Sequence, residues 1–429
     1  MIDLRTPVDR AVLVGAPDRE LPKRLADEHL QELARLTDTA GCDVVGTVVQ
    51  RISERHPRYY IGEGKAKEVA ALVKEKGADL VIFDEDLSPA QGKGLEELLG
   101  VRIMDRSELI LDIFATRARS KEAKMQVELA QLEYLLPRLK RMWTHLSRER
   151  GGIGLRGPGE TQIETDRRLI GQRISELKRK LRDVTTARAV QRHGRSDRFR
   201  ASLVGYTNAG KSSLLRALSG ADLFVEDRLF ATLDSATRAV SLGAGHEALV
   251  TDTVGFIRKL PHDLVASFRS TLEEASEADV LLHVVDASHS DWEEHFDVVN
   301  EVLADLGLSE KDTILVFNKV DRLTHAEEQA LRQRIEVVEP SPSVFVSALD
   351  DRTLHALRDV LKSRMLARLA HVIVHVPVED GEAMAALYRE GEVVGRRDVD
   401  SEIALTVWVP KPLLGRLLAR PGIRVEELS

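Results

Sequence analysis

The chain has 429 residues, enough for about three domains, and its 43% hydrophobic and 31% charged content is that of a soluble globular protein. Its apolar runs are only strand-length, which excludes a bilayer-spanning helix, and Met1-Ile2-Asp3-Leu4-Arg5 lacks the layout of a secretion signal. Cys42 is the single cysteine, which excludes an intrachain disulfide and fits a reducing cytoplasm; a monomer is expected, with peripheral membrane association left open. The net charge of −8 is unevenly spread. Residues 137–200 hold 18 Lys and Arg against 7 Asp and Glu, a net of +11, which leaves −19 on the rest. A basic insert in an acidic protein is the footprint of a polyanion contact, so nucleic acid is the expected partner class.

The first 115 residues alternate strand and helix patterns. Ala11-Val12-Leu13-Val14 reads as a strand, followed by a helix-like stretch through Leu36 and a second strand from Val44 to Val49. Val69 to Val73 reads as helix and Leu80-Val81-Ile82-Phe83 as a strand ending in Asp84-Glu85-Asp86. This is a small α/β domain. Gly62-Glu63-Gly64-Lys65 lacks the full spacing of a phosphate loop.

Met125, Leu129, Leu132, Leu136, Leu139, Trp143 and Leu146 follow a coiled-coil spacing, with a kink or break expected at Pro137. Ile163, Ile170, Ile174, Leu177, Leu181 and Val184 form a second seam. Gly151 to Glu160 between them carries five glycines and a proline, which cannot continue a helix. Two antiparallel helices with a flexible tip follow. Arg148, Arg150, Arg156, Arg167 and Arg168 flank that tip and suit RNA.

Ala201 to Val204 is a short apolar strand, Gly205-Tyr206-Thr207-Asn208-Ala209-Gly210-Lys211-Ser212 a complete phosphate loop, and Ser213 to Leu218 a helix pattern. The glycines let the backbone wrap phosphate at a helix N-terminus, Lys211 adds a cation, and the Ser212 hydroxyl is placed for Mg²⁺. Ala248 to Thr251 is a strand ending in Asp252-Thr253-Val254-Gly255, where a carboxylate supports the metal and the Gly255 amide faces the terminal phosphate. A GTPase also needs a mobile threonine in the segment Leu229 to Arg238, and spacing leaves Thr232 and Thr237 both open. The strand Thr313 to Phe317 leads to Asn318-Lys319-Val320-Asp321. An ionised Asp321 can take two protons from the edge that guanine presents and adenine does not, while Lys319 lies along the base. Ser347-Ala348-Leu349 then offers the Ala348 amide to guanine O6. Phe256 occupies the position where many regulatory GTPases carry a water-orienting glutamine, so a low rate is expected until a partner rearranges the site.

None of the thirteen histidines shows a metal-ligand spacing; His371 and His375 alternate with Val372 and Val374 in a strand. That strand, a helix around Ala383 to Tyr388 and two strands through Trp408 make a last α+β unit. The expected fold class is α/β and multidomain. It comprises an N-terminal α/β domain (1–115), an antiparallel helical arm (116–197), a P-loop GTPase domain (198–369) and a C-terminal α+β domain (370–429).

The sequence resembles the HflX-type GTPases over most of its length. The resemblance rests on Tyr60 to Lys65, Phe83 to Pro89, Gln126 to Leu132, the Gly151 to Glu160 tip, Thr161 to Arg168, Phe230 to Asp234 and Asp252 to Arg258. It implies a GTP hydrolase that binds the large ribosomal subunit and splits stalled or idle ribosomes in its GTP form. It further implies Thr232 as the metal-sensing threonine beside Phe230 and Ala231, with Mg²⁺ held by Ser212 and Thr232 and catalysis resting on Lys211, Thr232 and Gly255. The tip would reach rRNA near the peptidyl-transferase centre. Ser235-Ala236 departs from the Pro-Thr usual there. A ribosome-assembly GTPase, or an ATP-dependent RNA remodeller working through the N-terminal domain, are the alternatives.

Overall fold

The computed structural model describes residues 9–142, 158–193, 198–221, 228–243, 245–261, 274–338, 341–399 and 401–428. The chain opens as β1 (Arg10–Gly15), α1 (Lys23–Thr39), β2 (Asp43–Val49), α2 (Glu63–Lys76), β3 (Leu80–Phe83), α3 (Pro89–Leu99), β4 (Arg102–Asp105) and α4 (Arg106–Arg117). The four strands are parallel in the order β2-β1-β3-β4. Strands β1 and β3 are buried along almost their whole length, as their unbroken apolar runs require. Local chemistry sets the boundaries of the third helix. Ser88 and Gln91 form a reciprocal capping box, Pro89 takes the first turn, and Gly100 closes it in the left-handed conformation.

Two long helices follow, α5 (Lys121–Met142) and α6 (Pro158–His193). Arg173 of α6 grips Glu128 of α5 through two nitrogens, at 2.6 and 2.9 Å, and Lys178 pairs with Glu133 at 2.7 Å. Leu177 is fully buried between them, while Ile170, Ile174, Leu181 and Val184 are half-buried along the same face. The kink or break expected at Pro137 does not end α5, which runs on to Met142. Pro137 lies on the exposed side, where water can take up the backbone bond that proline forfeits. Trp143, Leu146 and residues 151–157 of the tip lie outside the described residues. The base of α5 is fixed to the first sheet at Asp105, which accepts from Tyr134 Oη (2.8 Å) and Arg138 Nη2 (2.8 Å).

The second sheet contains β5 (Arg200–Gly205), β6 (Ala236–Gly243), β7 (His246–Asp252), β8 (Val280–Asp286), β9 (Thr313–Asn318) and β10 (Ser343–Phe345). Their order is β10-β9-β8-β5-β7-β6, parallel except for β6. The helices α7 (Lys211–Ser219), α8 (Trp292–Asp305), α9 (His325–Val338) and α10 (Asp351–Leu366) accompany it. An antiparallel sheet closes the chain, ordered β12-β13-β11-β14. It comprises β11 (Leu369–Pro377), α11 (Gly381–Glu390), β12 (Glu392–Val399), β13 (Glu402–Pro410), α12 (Lys411–Leu418) and β14 (Arg424–Glu427). The last helix and strand were not legible in the sequence.

One apolar cluster crosses from the first sheet into the second. Leu33, Ile110 and Phe114 meet Ala123 and Val127 of the arm, and all belong with Tyr206, Phe230, Val254, Phe256 and Ile257. A charged knot lies beside it. Arg106, with no exposed surface, holds Glu32 and, at 2.8 Å, Asp84, and donates to the Arg258 carbonyl at 3.2 Å. Asp84 also receives Arg258 (3.2 Å) and Lys259 (3.0 Å). Burial alone would raise its pKa, but the three cations outweigh burial and keep it well below the usual carboxylate range. Removing Arg106 alone would leave two buried carboxylates short of their cation, a cost of about 3–5 kcal/mol.

Candidate nucleotide site

The site is assembled at the carboxyl ends of β5, β7, β8 and β9, where an open α/β sheet receives ligands. Residues 205–210 link β5 to α7, and Gly210 has φ +92°, a left-handed value that suits glycine. A Cβ there would stand 2.3 Å from Asn318 Nδ2, so the phosphate loop and the Asn318 segment pack too closely for any other residue. Asn318 fixes this join by donating to the Ala209 carbonyl at 2.9 Å.

Lys211 is buried, and its Nζ donates to the carbonyls of Gly205 (3.0 Å) and Tyr206 (2.9 Å). Burial pushes it down to about 8, although Asp252 pulls the other way. A Cβ on Gly255 would come 3.0 Å from Lys211 Nζ and 2.8 Å from Thr207 Cα, so glycine alone lets this backbone approach the loop. The approach is hydrogen-bonded: Thr207 N–H donates to Phe256 O at 2.6 Å and Phe256 N–H to Gly205 O at 3.1 Å.

Three oxygens converge at the start of α7. Ser212 Oγ lies 2.6 Å from Thr232 Oγ1 and donates to Asp252 Oδ2 at 2.6 Å. Asp252 Oδ1 is buried without a hydrogen-bond partner among the described residues. Burial raises the Asp252 pKa against the pull of Lys211, Ser212 and Thr232. Hard oxygen donors with an unspent carboxylate oxygen fit a small divalent cation such as Mg²⁺. Thr237 is elsewhere: it lies in β6 and its hydroxyl pairs with Thr251 at 2.9 Å. The geometry therefore separates the two threonines that spacing left open.

At the other end, Asp321 accepts from Ser347 Oγ at 2.5 Å and sits in a short 3₁₀ turn with Val320. Lys319, at φ +66°, reaches Asp286 (2.7 Å) and the Asn208 carbonyl (2.8 Å). The Ala348 N–H donates to Asn318 Oδ1 at 3.1 Å, and the Asn318 amide turns its other end toward Ala209. Leu349 is 86% exposed beside it. Thr253 and Val254 face inward; Thr253 Oγ1 donates to Leu203 O at 2.6 Å. Ala231 and Ser213 are half-buried at the rim.

Two features escaped the sequence. Phe256 is fully buried, in one apolar cluster with Tyr206, Phe230 and Val254. Tyr206 is more than a loop spacer: its hydroxyl donates to Glu32 of α1 and accepts Arg258 N–H at 3.0 Å. Glu32 and Tyr206 are 174 residues apart, beyond any local pattern.

Such a sheet, loop and base-recognition segment define a P-loop GTPase. Residues 27–115 match the family described as GTP-binding GTPase N-terminal, residues 117–195 its middle region, and residues 200–319 the family described as 50S ribosome-binding GTPase. The chain is 42% identical to GTPase HflX of Magnetococcus marinus across 99% of both chains. It is 49% identical to GTPase HflX of Flavobacterium psychrophilum over 74% of this chain and 76% of that one. For GTPase HflX of Escherichia coli the identity is 43% over 89% of this chain and 90% of the relative. The chain belongs to the HflX family of GTPases, and it binds and hydrolyses GTP. A GTP-binding protein of Sulfolobus solfataricus, solved with GDP, is 25% identical over 84% of this chain and 99% of its own, with a TM-score of 0.45. Among the described residues no helix is long and apolar enough to cross a membrane.

Proposed function

We propose that the GTP-bound protein binds the large ribosomal subunit in the cytoplasm and separates stalled or idle ribosomes, with hydrolysis accompanying release. The division into four units at residues 115, 197 and 369 belongs to this reading. The observation that carries it is the packing of the arm base: Ala123 and Val127 share one apolar cluster with Phe230 and Phe256 of the nucleotide domain. A movement of the segments that sense GTP would therefore be transmitted to the arm. The net +11 over residues 137–200 and the ribosome-binding description carried by the family matching residues 200–319 support rRNA as what the arm meets.

Within the site, Lys211 and the amides of 205–213 would hold the phosphates, and Gly255 would present its amide to the terminal one. Asp321 would select guanine, with Lys319 along the base face. Ser212 and Thr232 would hold Mg²⁺, which supplies charge neutralisation across the outer phosphates when bound. Phe256 has no group to orient water and no exposed surface. Hydrolysis by the free protein would then be slow and would rise on the ribosome. The cleft at the carboxyl ends of β1 and β3 is lined by Asp18, Asp84, Glu85 and Asp86 together with Arg55, Arg258 and Lys259, and Asp84 already takes Arg258 and Lys259.

Co-sedimentation with purified large subunits tests the reading. GTP-loaded protein should pellet and GDP-loaded protein should not, and log affinity should fall against log salt by about 0.7–0.9 per phosphate neutralised. Equal binding in both nucleotide states would contradict it.

A further inference from the structure

We propose that Glu28, His289 and His295 form a binding site for one zinc-class divalent ion, tying α1 to the nucleotide domain beside the phosphate loop. The donor atoms of these three half-buried residues all lie within 4.8 Å of one another. They come from opposite sides of the domain junction. Glu28 lies on α1, His289 just ahead of α8 and His295 in its first turn. His289 Nε2 is already 2.8 Å from Glu28 Oε1, while its Nδ1 accepts the Asp291 N–H at 3.2 Å. These two contacts orient the ring and place its proton on Nε2 in the metal-free protein, so a cation bound at Nε2 would send that proton to Nδ1 and release the Asp291 N–H. The His295 ring is held independently, stacked on Tyr206 at 3.8 Å with 8° between planes, and lies 4.3 Å from the His289 ring.

Two imidazoles and one carboxylate are the donor set that suits zinc and its borderline neighbours rather than Mg²⁺ or Ca²⁺. Tetrahedral bonds of about 2.0–2.1 Å place donors roughly 3.3 Å apart, so the residues need close by only about 1.5 Å at most. Both rings are kept neutral at neutral pH chiefly by burial, His295 falling to about 4 and His289 shifting in the same direction. Neutral imidazole is the ligating form. The charges around the cluster are mixed: Glu32, Asp286 and Glu294 act on the two rings, as do Arg35 and Lys319, and Asp291 takes Arg24. His29 is occupied by Glu294 at 2.8 Å and is left outside the site.

The consequence lies one helical turn away. Glu28 and Glu32 share a face of α1, and Glu32 accepts the hydroxyl of Tyr206, whose ring supports His295. A cation at Glu28, His289 and His295 would therefore fasten both ends of this contact and hold the N-terminal domain against the phosphate loop. Sequence spacing could not reveal it, because Glu28 is more than 250 residues from its partners.

The test uses the full chain carrying Cys42→Ser, which removes the one thiol, stripped with chelator and dialysed against zinc chloride or cobalt chloride. Elemental analysis should find one zinc per chain at micromolar zinc, and cobalt should give tetrahedral visible absorption bands. Glu28→Gln, His289→Ala and His295→Ala should each weaken binding by more than about 100-fold, whereas His371→Ala should bind as before. Zinc should also raise the thermal midpoint of the parent and leave that of His289→Ala unmoved. Glu28→Gln keeps size and hydrogen bonding, so it reads out even if a histidine variant misfolds. No stoichiometric zinc in the parent, or affinity unchanged in Glu28→Gln and the folded histidine variants, would overturn the proposal.

Discussion

The Phe114 ring meets Phe230 edge-to-face, with centroids 4.6 Å apart and planes at 89°. Phe114 belongs to α4 of the N-terminal sheet, and Phe230 stands two residues before Thr232. Phe230 is also pinned from the other side, its N–H donating to Thr207 Oγ1 of the phosphate loop at 3.0 Å. The segment that carries Thr232 is thus held by a neighbouring domain and by the nucleotide loop together. Phe114→Ala should leave a cavity costing about 3–5 kcal/mol in denaturant unfolding and should speed release of bound GDP. Stopped-flow displacement of a fluorescent nucleotide measures the second effect; an unchanged release rate would show that this contact is structural only.

The proposed guanine selection by Asp321 can be tested by one substitution. Asp321→Asn turns one acceptor into a donor facing the N1–H and amine edge, a loss of about 1.5–3 kcal/mol. GTP affinity should fall roughly 10- to 100-fold and xanthosine triphosphate affinity should rise, both readable by equilibrium titration. The exposed Leu349 gives a contrast, since Leu349→Ala should change neither.

Nucleotide affinity should depend on pH through Lys211. Free, it titrates near 8 instead of 10.5, because burial penalises its charge. Phosphate favours the charged form, so the bound pKa is higher than the free one. Affinity is then full below about pH 8 and falls by up to about tenfold per pH unit above it, until the bound pKa is passed. The sign for stability is opposite: between the folded and unfolded pKa values the unfolded chain holds more protons, so the nucleotide-free fold gains stability as pH rises. Binding titrations from pH 7 to 9 should show the slope in the parent and lose it in Lys211→Arg, whose charge does not titrate there.

Phe256→Gln should not restore a fast intrinsic rate. The side chain is fully buried among Tyr206, Phe230 and Val254, so a glutamine would bury an amide instead of reaching the nucleotide. A loss of about 2–4 kcal/mol is expected from cavity and desolvation together. Single-turnover hydrolysis should stay at or below the parent rate; a large increase would show that the position does face the nucleotide.

What was legible in the sequence is what depends on neighbours along the chain. The 205–212 loop, the Asp252 to Gly255 turn and the Asn318 to Asp321 turn each join one strand to the next element, so their residue order nearly dictates their geometry. The heptad seam around Leu177 was legible for the same reason. Long-range packing was not. Phe256 looked like a vacant catalytic position, yet the Thr207 and Gly205 backbone bonds draw it inward. Tyr206 and Glu32, Arg106 and Asp84, and Glu28 with its two histidines are joined only by tertiary structure. Ala348 shows a further limit, because one amide can serve Asn318 or a base and the sequence does not say which.

Separation of ribosomal subunits by the GTP-bound arm is open to direct test. The most direct measurement is sedimentation of intact ribosomes mixed with GTP-loaded protein, compared with a variant in which Gly151 to Gly159 is replaced by a short Gly-Ser bridge. The parent should shift ribosomes into separate subunits, whereas the variant should leave them intact and retain nearly all basal GTP hydrolysis. A tip-deleted protein that separates subunits at the parent rate would contradict it.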